Sequence, residues 1–280
     1  MDQSIEFNQE LIKRYDIAGP RYTSYPTAVQ FHENFGEEEY RNFALLSNKG
    51  DQLNPLSLYF HIPFCDTVCF YCGCNKIVTK DRQKATPYLE HLYQEIAIQG
   101  ELFDSSRPVT QLHWGGGTPT FLSDNQIVEL MQKTGEHFTL LDNDEGEYSI
   151  EIDPREANAD KVRLLRKAGF NRMSLGVQDF DARVQKAVNR IQTEKETMEV
   201  MDAARDVGFR SISLDLIYGL PFQTVKSFEC TLEKVIAAAP ERLSIFNYAH
   251  LPEIFKPQRR INEEDLPSPA EKLDILKHTI

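Results

Sequence analysis

The sequence predicts an α/β protein: a partial (β/α)6, TIM-like barrel of parallel strands behind an N-terminal extension. Three observations predict it. Short runs rich in Val, Ile and Leu alternate with longer runs whose apolar residues recur at i, i+3 and i+4, the patterns of strand and amphipathic helix. A helix–glycine–strand unit repeats, as Gly169-Phe170-Asn171-Arg172-Met173-Ser174-Leu175 and as Gly208-Phe209-Arg210-Ser211-Ile212-Ser213-Leu214, with a weaker copy at Pro240-Glu241-Arg242-Leu243-Ser244-Ile245. Each Gly falls where a helix C-terminus takes a left-handed residue. Strand-like runs near residues 56, 109, 147, 170, 211 and 243 make six, and right-handed crossovers curl six such units into an open or partial barrel.

Taken in order, residues 1–55 precede the first strand and read as an arm, with a helix expected near 7–12. In Gly19-Pro20-Arg21-Tyr22-Thr23-Ser24-Tyr25-Pro26-Thr27, Gly and Pro break regular structure. This stretch either packs across the surface through its tyrosines or serves as a lid with Arg21 aimed at a carboxylate, which guanidinium matches in two-pronged geometry. Residues 56–280 carry the barrel. Its first strand is Leu56-Ser57-Leu58-Tyr59-Phe60-His61-Ile62, followed by a cysteine-rich loop. A helix after Thr86-Pro87 turns Leu89, Leu92 and Ile96 inward and leads to a strand over 109–114. Ser123 and Gln126 form a capping box that opens a helix with Ile127, Leu130 and Met131 inward. A strand over 147–152 and the repeated units follow. A last helix starts at Ser268-Pro269-Ala270 and is expected to pack on Leu273, Ile275, Leu276 and Ile280.

A chain of 280 residues can bury a sizeable core as one large domain. Its 26% charged and 41% hydrophobic residues suit a soluble globular protein. The net charge of −12 disfavours nucleic-acid binding, which draws on Lys and Arg. No apolar run approaches the roughly 20 residues needed to span a bilayer. Sparse cysteines and no targeting pattern suggest a reducing cytoplasm.

The chain is organised around Cys65-Asp66-Thr67-Val68-Cys69-Phe70-Tyr71-Cys72-Gly73-Cys74. Three thiols at C-x3-C-x2-C spacing can turn inward onto one small object, and thiolates are soft ligands suited to iron–sulfur clusters or zinc. Cys65, Cys69 and Cys72 would hold three irons of a [4Fe–4S] cube and leave the fourth open. Structural zinc prefers two ligand pairs separated by a longer stretch, and no second Cys or His pair is present. Cys74 is either a fourth ligand or a neighbouring thiol. Cys230, on a helix pattern, reads as a buried small hydrophobe.

Polar residues gather at the ends of the strands, which in α/β barrels form the active face. Gly115-Gly116-Gly117-Thr118-Pro119 follows the second strand, where glycines let a ligand approach the backbone and leave N–H groups for anionic oxygens. Glu151 ends the third strand and is suited to ribose hydroxyls, or else to a salt bridge with Arg155. Gln178 ends the fourth strand, with Arg190 beyond it. Asp215 ends the fifth and Ala249 follows the sixth; for each, function and packing weigh equally. His61, His113 and His250 lack metal-ligand spacing and are expected to hydrogen-bond in the barrel mouth.

The string His61-Ile62-Pro63-Phe64-Cys65 through Phe70-Tyr71-Cys72 resembles the radical S-adenosylmethionine (SAM) superfamily. Its continuation through Cys72-Gly73-Cys74-Asn75, with Gly19-Pro20-Arg21-Tyr22-Thr23-Ser24-Tyr25-Pro26-Thr27-Ala28, resembles the oxygen-independent coproporphyrinogen III oxidase family. The resemblance implies a [4Fe–4S] cluster on Cys65, Cys69 and Cys72 and two molecules of SAM. Gly116, Gly117 and Thr118 match the glycine motif that holds the methionyl part, and Glu151 matches the ribose ligand. Tyr59 and Tyr71 match positions beside the first SAM; Gln178, Arg190, Asp215 and Ala249 match positions around the second. Arg21 and Tyr22 lie on an arm near the substrate, and Arg190 is a second candidate for its carboxylates.

The implied reaction is radical decarboxylation of two coproporphyrinogen III propionates to vinyl groups, giving protoporphyrinogen IX in anaerobic haem synthesis. A flavodoxin- or ferredoxin-type electron donor and a monomeric chain are expected. The family continues beyond this chain's length into a C-terminal domain, so the chain is expected to be its N-terminal portion. Three rivals remain: a haem-trafficking relative, a zinc-stabilised module, and a radical enzyme acting on another substrate such as a tRNA base.

Overall fold

The computed structural model describes residues 6–15, 27, 30–50 and 53–280. Six strands form one parallel sheet in sequential order: β1 (Leu56–Ile62), β2 (Pro108–Gly116), β3 (Glu147–Ile152), β4 (Arg172–Gln178), β5 (Ser211–Tyr218) and β6 (Arg242–Asn247). The short strand Thr139–Leu140 pairs with β2 beside them. Among the described residues β1 and β6 do not pair with each other, so the barrel stays open between them. The six strands match the six that the sequence predicts.

Alternation along each strand assigns its two faces. On β4, Met173, Leu175 and Val177 are buried, while Arg172, Ser174 and Gly176 between them are only partly covered. The buried set joins a core shared with Leu89 and Ile96 of α1 (Ala85–Leu102), Leu130 of α2 (Asp124–His137), Val162 of α3 (Ala159–Lys167), Val200 of α4 (Glu194–Asp206) and Phe228 of α5 (Val225–Ala238). Each fully buried side chain of this size contributes about 1.5–3 kcal/mol. Trp114 of β2 meets Phe170 edge-on, with centroids 4.9 Å apart, and so joins the outer face of β2 to the turn before β4. The other strand face is polar, carrying Ser149, Glu151, Ser174, Ser213, Asp215 and Ser244.

The repeated units end as expected. Gly169 (φ 106°) follows α3 and Gly208 (φ 79°) follows α4; the weaker third copy uses Ala239 (φ 49°) after α5. The Ser123 hydroxyl accepts from Gln126 N–H at 3.3 Å and the Gln126 carbonyl from Ser123 N–H at 3.0 Å, completing the capping box. Two packing expectations fail. Cys230 is exposed. It lies two residues beyond the buried Phe228, about 200° around the helix and off the stripe formed by Phe228, Leu232 and Val235. Ile280 is 55% exposed because the final helix, Pro269–Thr279, buries Ile275 and ends before it.

Ahead of β1, two helices occupy Gln9–Tyr15 and Glu37–Leu46. The second packs on α1, with Tyr40 O–H donating to Gln99 at 2.5 Å. Arg107, 6% exposed, ties this region down by donating to Asn54 O, the Ser47 hydroxyl and Asn48 Oδ1. Arg21 and Tyr22 lie outside the described residues.

Candidate functional site

The cysteines hang on a closed loop. Beyond β1, Phe64–Cys65 pairs with Ile77–Val78, so the chain leaves and returns at one place. Ile77 N–H donates to Pro63 O at 2.7 Å and Thr79 N–H to Cys65 O at 2.9 Å. The far side of the loop is pinned from elsewhere in the fold. Phe70 N–H donates to Val188 O at 2.9 Å, the Asn189 amide to Val68 O at 2.8 Å, and the Gln258 amide to Tyr71 O at 2.9 Å.

Cys65, Cys69 and Cys72 line one cavity of about 280 Å³, which Cys74 also borders. The Thr118 hydroxyl lies 3.8 Å from Cys65 Sγ, and burial pushes that thiol up to about 11. Cys69 Sγ faces two guanidinium groups, Arg190 at 3.6 Å and Arg155 at 3.9 Å. Cys72 is held low because the Cys74 thiol and backbone N–H both donate to its sulfur, and Cys74 is correspondingly pushed up. In this arrangement Cys74 serves Cys72 as a hydrogen-bond donor.

The strand ends close the rest of the cavity. Gly116, Gly117 and Thr118 form one wall, but not by freeing their N–H groups, as the sequence suggested. Gly116 N–H donates to Glu151 Oε2 at 3.1 Å, Gly117 N–H to Ile62 O at 2.8 Å and Thr118 N–H to Phe64 O at 2.8 Å. The glycines are needed for close approach instead. A Cβ on Gly117 would sit 2.6 Å from Phe64 O, and one on Gly116 2.7 Å from the His61 ring. The run is thereby locked to the segment that presents Cys65.

Glu151 lines the cavity from β3. It accepts from His113 Nε2 at 3.3 Å as well as from Gly116, and these donors hold its carboxyl below the usual range against the opposing effect of burial. It does not pair with Arg155, the alternative left open by the sequence. Arg155 turns back to Asp153, donating at 2.6 and 2.9 Å, and Arg190 adds a third bond at 3.0 Å. Burial pushes the Asp153 carboxyl up, and the two guanidinium groups more than offset this and leave it lowered. Asp153 and Arg155 are thus cavity residues that sequence reasoning missed; the local signal was an Asp whose side chain accepts the N–H two residues on, at 3.1 Å.

Arg190 is buried among Asp153, Cys69 Sγ and Gly176 O, the last at 2.6 Å. It therefore faces the cysteine loop. Gln178 reaches the same cavity from a left-handed backbone (φ 69°) at a register slip in β4. Asp215 accepts from Ser174 at 2.7 Å, and burial pushes its carboxyl up. Tyr71 lines the cavity too, and burial raises its phenol well above the usual range.

Two expected residues are not brought in. Tyr59 is 57% exposed; its ring stacks on His113 at 5.7 Å and its hydroxyl meets His61 Nδ1 at 2.9 Å. It sits in mid-strand and does not line the cavity. Ala249 is exposed beyond β6, its carbonyl taken by the Gln258 amide at 3.2 Å, and it does not line the cavity. The three histidines all hydrogen-bond as expected: His61 to Tyr59 and Asn75 O, His113 to Ser149 and Glu151, His250 to Tyr248.

The donor set fits an iron–sulfur cluster. Three soft sulfurs sit on a pinned loop, around a cavity instead of one point, and two guanidinium groups are placed to compensate sulfur-borne negative charge.

Comparison with known proteins gives a consistent result. The profile of the Radical SAM superfamily matches residues 59–235. An oxygen-independent coproporphyrinogen III oxidase of Pseudomonas aeruginosa is 57% identical over 279 residues, covering 100% of this chain and 60% of that protein. Its Escherichia coli counterpart is 52% identical over 278 residues, covering 99% and 59%. The solved structure of coproporphyrinogen III oxidase (HemN) from Escherichia coli, described as a radical SAM enzyme, superposes with a TM-score of 0.91 at 51% identity, over 99% of this chain and 61% of that one. The chain thus spans about 60% of the length of the curated relatives it matches.

Proposed function

The chain belongs to the Radical SAM superfamily, and from that membership we propose that it is part of an oxygen-independent coproporphyrinogen III oxidase that holds [4Fe–4S] and SAM. One observation carries the reading: the three cysteines, the glycine run, Glu151, Gln178 and Asp215 line a single cavity at the C-terminal ends of the strands. Held by Cys65, Cys69 and Cys72, the cluster would supply the electron for reductive cleavage of SAM, and SAM would supply the hydrogen-abstracting chemistry used on a substrate propionate.

The residues divide the remaining work. Cys65, Cys69 and Cys72 hold the cluster, and Arg155 and Arg190 donate to Cys69 Sγ and temper its charge. Glu151 stays ionised and offers Oε1 and Oε2 to ribose hydroxyls. Gly116 and Gly117 form the wall that faces the methionyl part. Asp215 and Gln178 hold the polar groups of a second ligand. Ile152 and Phe246 contribute apolar wall that limits water. The porphyrinogen, a flavodoxin- or ferredoxin-type electron donor, a monomeric state and a cytoplasmic setting belong to the same proposal, as do an arm over 1–55 and a barrel over 56–280. Among the described residues no helix is long and apolar enough to cross a membrane.

The test is anaerobic reconstitution with iron and sulfide, then dithionite reduction with SAM and measurement of 5′-deoxyadenosine. Formation of 5′-deoxyadenosine that is lost in Cys69→Ala is the expected result. Stoichiometric zinc with no acid-labile sulfide would overturn the reading.

A further inference from the structure

Gln178 cannot hold its own conformation. A residue with a Cβ at φ 69° sits in a sparsely populated region and persists only where its surroundings over-determine it. The next residue does this. Asp179 is 1% exposed, and both carboxylate oxygens are engaged. Oδ1 accepts from Asp181 N–H at 2.7 Å and from the Thr231 hydroxyl of α5 at 2.7 Å. Oδ2 accepts from the Gln223 amide at 2.5 Å. Gln223 belongs to the loop leaving β5, where its amide also donates to Ile217 O and its carbonyl accepts from Leu220 N–H. One carboxylate thus joins the exit of β4 to the exit of β5 and to α5.

The same residue reaches Arg190. Asp179 O accepts from the Gln185 side chain at 2.9 Å, and Gln185 O accepts from Arg190 N–H at 2.9 Å. Gln185 Oε1 takes Gln192 N–H at 3.0 Å, fixing the chain on the other side of Arg190. The two side chains so placed converge: a Cβ on Gly176 would lie 2.9 Å from Gln178 Nε2 and 3.0 Å from the Arg190 guanidinium.

We propose that Asp179 is a positioning residue of the cavity, setting Gln178 in its left-handed conformation and Arg190 against Cys69 through its bonds to Gln223, Thr231 and Gln185. The ligand it serves rests on the function proposed above; the hub itself does not.

The hub has a polarity that can be reversed. Asp179→Asn turns its amide toward the Gln223 amide, leaving two buried donors face to face. Adding Gln223→Glu restores donor to acceptor at that contact with the net charge unchanged; the introduced carboxylate still accepts from Leu220 N–H but gives up the bond to Ile217 O. Two measurements follow on the 280-residue chain. In the chain without cofactor, Asp179→Asn raises hydrogen exchange at the amides of Asp181, Arg190 and Gln192, and the double variant returns it part of the way to the wild-type rate. In the reconstituted chain, Asp179→Asn weakens SAM binding by about tenfold, the loss of about one well-placed hydrogen bond from Gln178. The double variant recovers part of this, and Asp179→Asn adds little to Gln178→Ala. Unchanged exchange in Asp179→Asn overturns the hub, as does a loss that the swap leaves undiminished. If wild-type protein binds no SAM, the proposed function fails and the exchange experiment still decides the hub.

Discussion

Gly117→Ala isolates the contact on which the site is built. The added Cβ lies 2.6 Å from Phe64 O, 2.7 Å from Pro63 C and 2.8 Å from Pro63 O. All three are backbone atoms, so no rotamer change relieves them. Reaching ordinary contact at 3.4 Å requires the segment to move by 0.8 Å. That segment runs directly into Cys65, and the movement breaks or stretches the bonds from Gly117 N–H to Ile62 O and from Thr118 N–H to Phe64 O, both 2.8 Å. Overpacking costs about 1–3 kcal/mol and each lost bond about 1 kcal/mol, for a total of about 3–5 kcal/mol. For a domain of this size that lowers the thermal midpoint by about 6–20 °C. Because the displacement is aimed at Cys65, iron incorporation on anaerobic reconstitution should fall further than stability alone explains. Gly208→Ala is the control. Its Cβ meets nothing within 4 Å, and its positive φ costs about 1–2 kcal/mol at a helix end remote from the cavity. Gly208→Ala should therefore melt earlier yet take up iron like wild type. If Gly117→Ala takes up full iron, or if both variants lose it in proportion to stability, the wall-to-loop coupling is wrong.

Arg190→Met leaves the Asp153 carboxylate, 8% exposed on its side chain, with Arg155 alone, and should cost about 3–5 kcal/mol in a denaturant titration; a midpoint within error of wild type would show that Arg155 suffices. Asp144, outside the site, is lowered from 3.8 chiefly by the hydrogen bond from Arg166. Its folded value lies below its unfolded one, so its contribution is present above about pH 3.8 and is lost as pH falls through the folded value. Asp144→Asn, which keeps a residue tolerant of the φ of 60°, should be less stable than wild type at neutral pH and converge with it in acid; a difference independent of pH refutes the ion-pair origin. Cys230→Ser, on the exposed face of α5, should shift stability by no more than about 0.5 kcal/mol in the same titration.

The fold was legible where a residue type answers to its own backbone. Gly169 and Gly208 announce left-handed helix ends, Ser123 and Gln126 announce a helix start, and alternation in 147–152 and 172–178 announces strands. Cysteine spacing was legible for the same reason, since three sulfurs on one short loop have few uses. Partner choice was not. Glu151 and Arg155 are close enough in sequence to suggest an ion pair, yet strand alternation points Glu151 at His113 across the sheet, while the turn after Ile152 hands Arg155 to Asp153. The partners that depend on strand register and packing, His113 for Glu151 and Arg190 for Asp153, lie 38 and 37 residues away in the chain. The Asp179 hub was invisible on the same grounds: Gln223 and Thr231 lie 44 and 52 residues away in the chain.

The glycine run shows how a motif can be located correctly and its physics misassigned. Glycine next to a strand end suggests bare N–H groups for a ligand, and that inference treats the loop as if it stood alone. In the folded chain the N–H groups of Gly116, Gly117 and Thr118 already bond to Glu151, Ile62 and Phe64. Two of those acceptors flank Pro63, which has no N–H to offer. The segment carrying Cys65 therefore relies on the glycine run for donors, and the run can supply them only if no Cβ keeps the two backbones apart. The requirement for glycine is thus set by the junction between loop and barrel, with or without a ligand. It follows that the cavity wall and the anchoring of Cys65 share the same hydrogen bonds. A substitution in the wall must displace the thiol, and a ligand bound against the wall must feel the thiol's position.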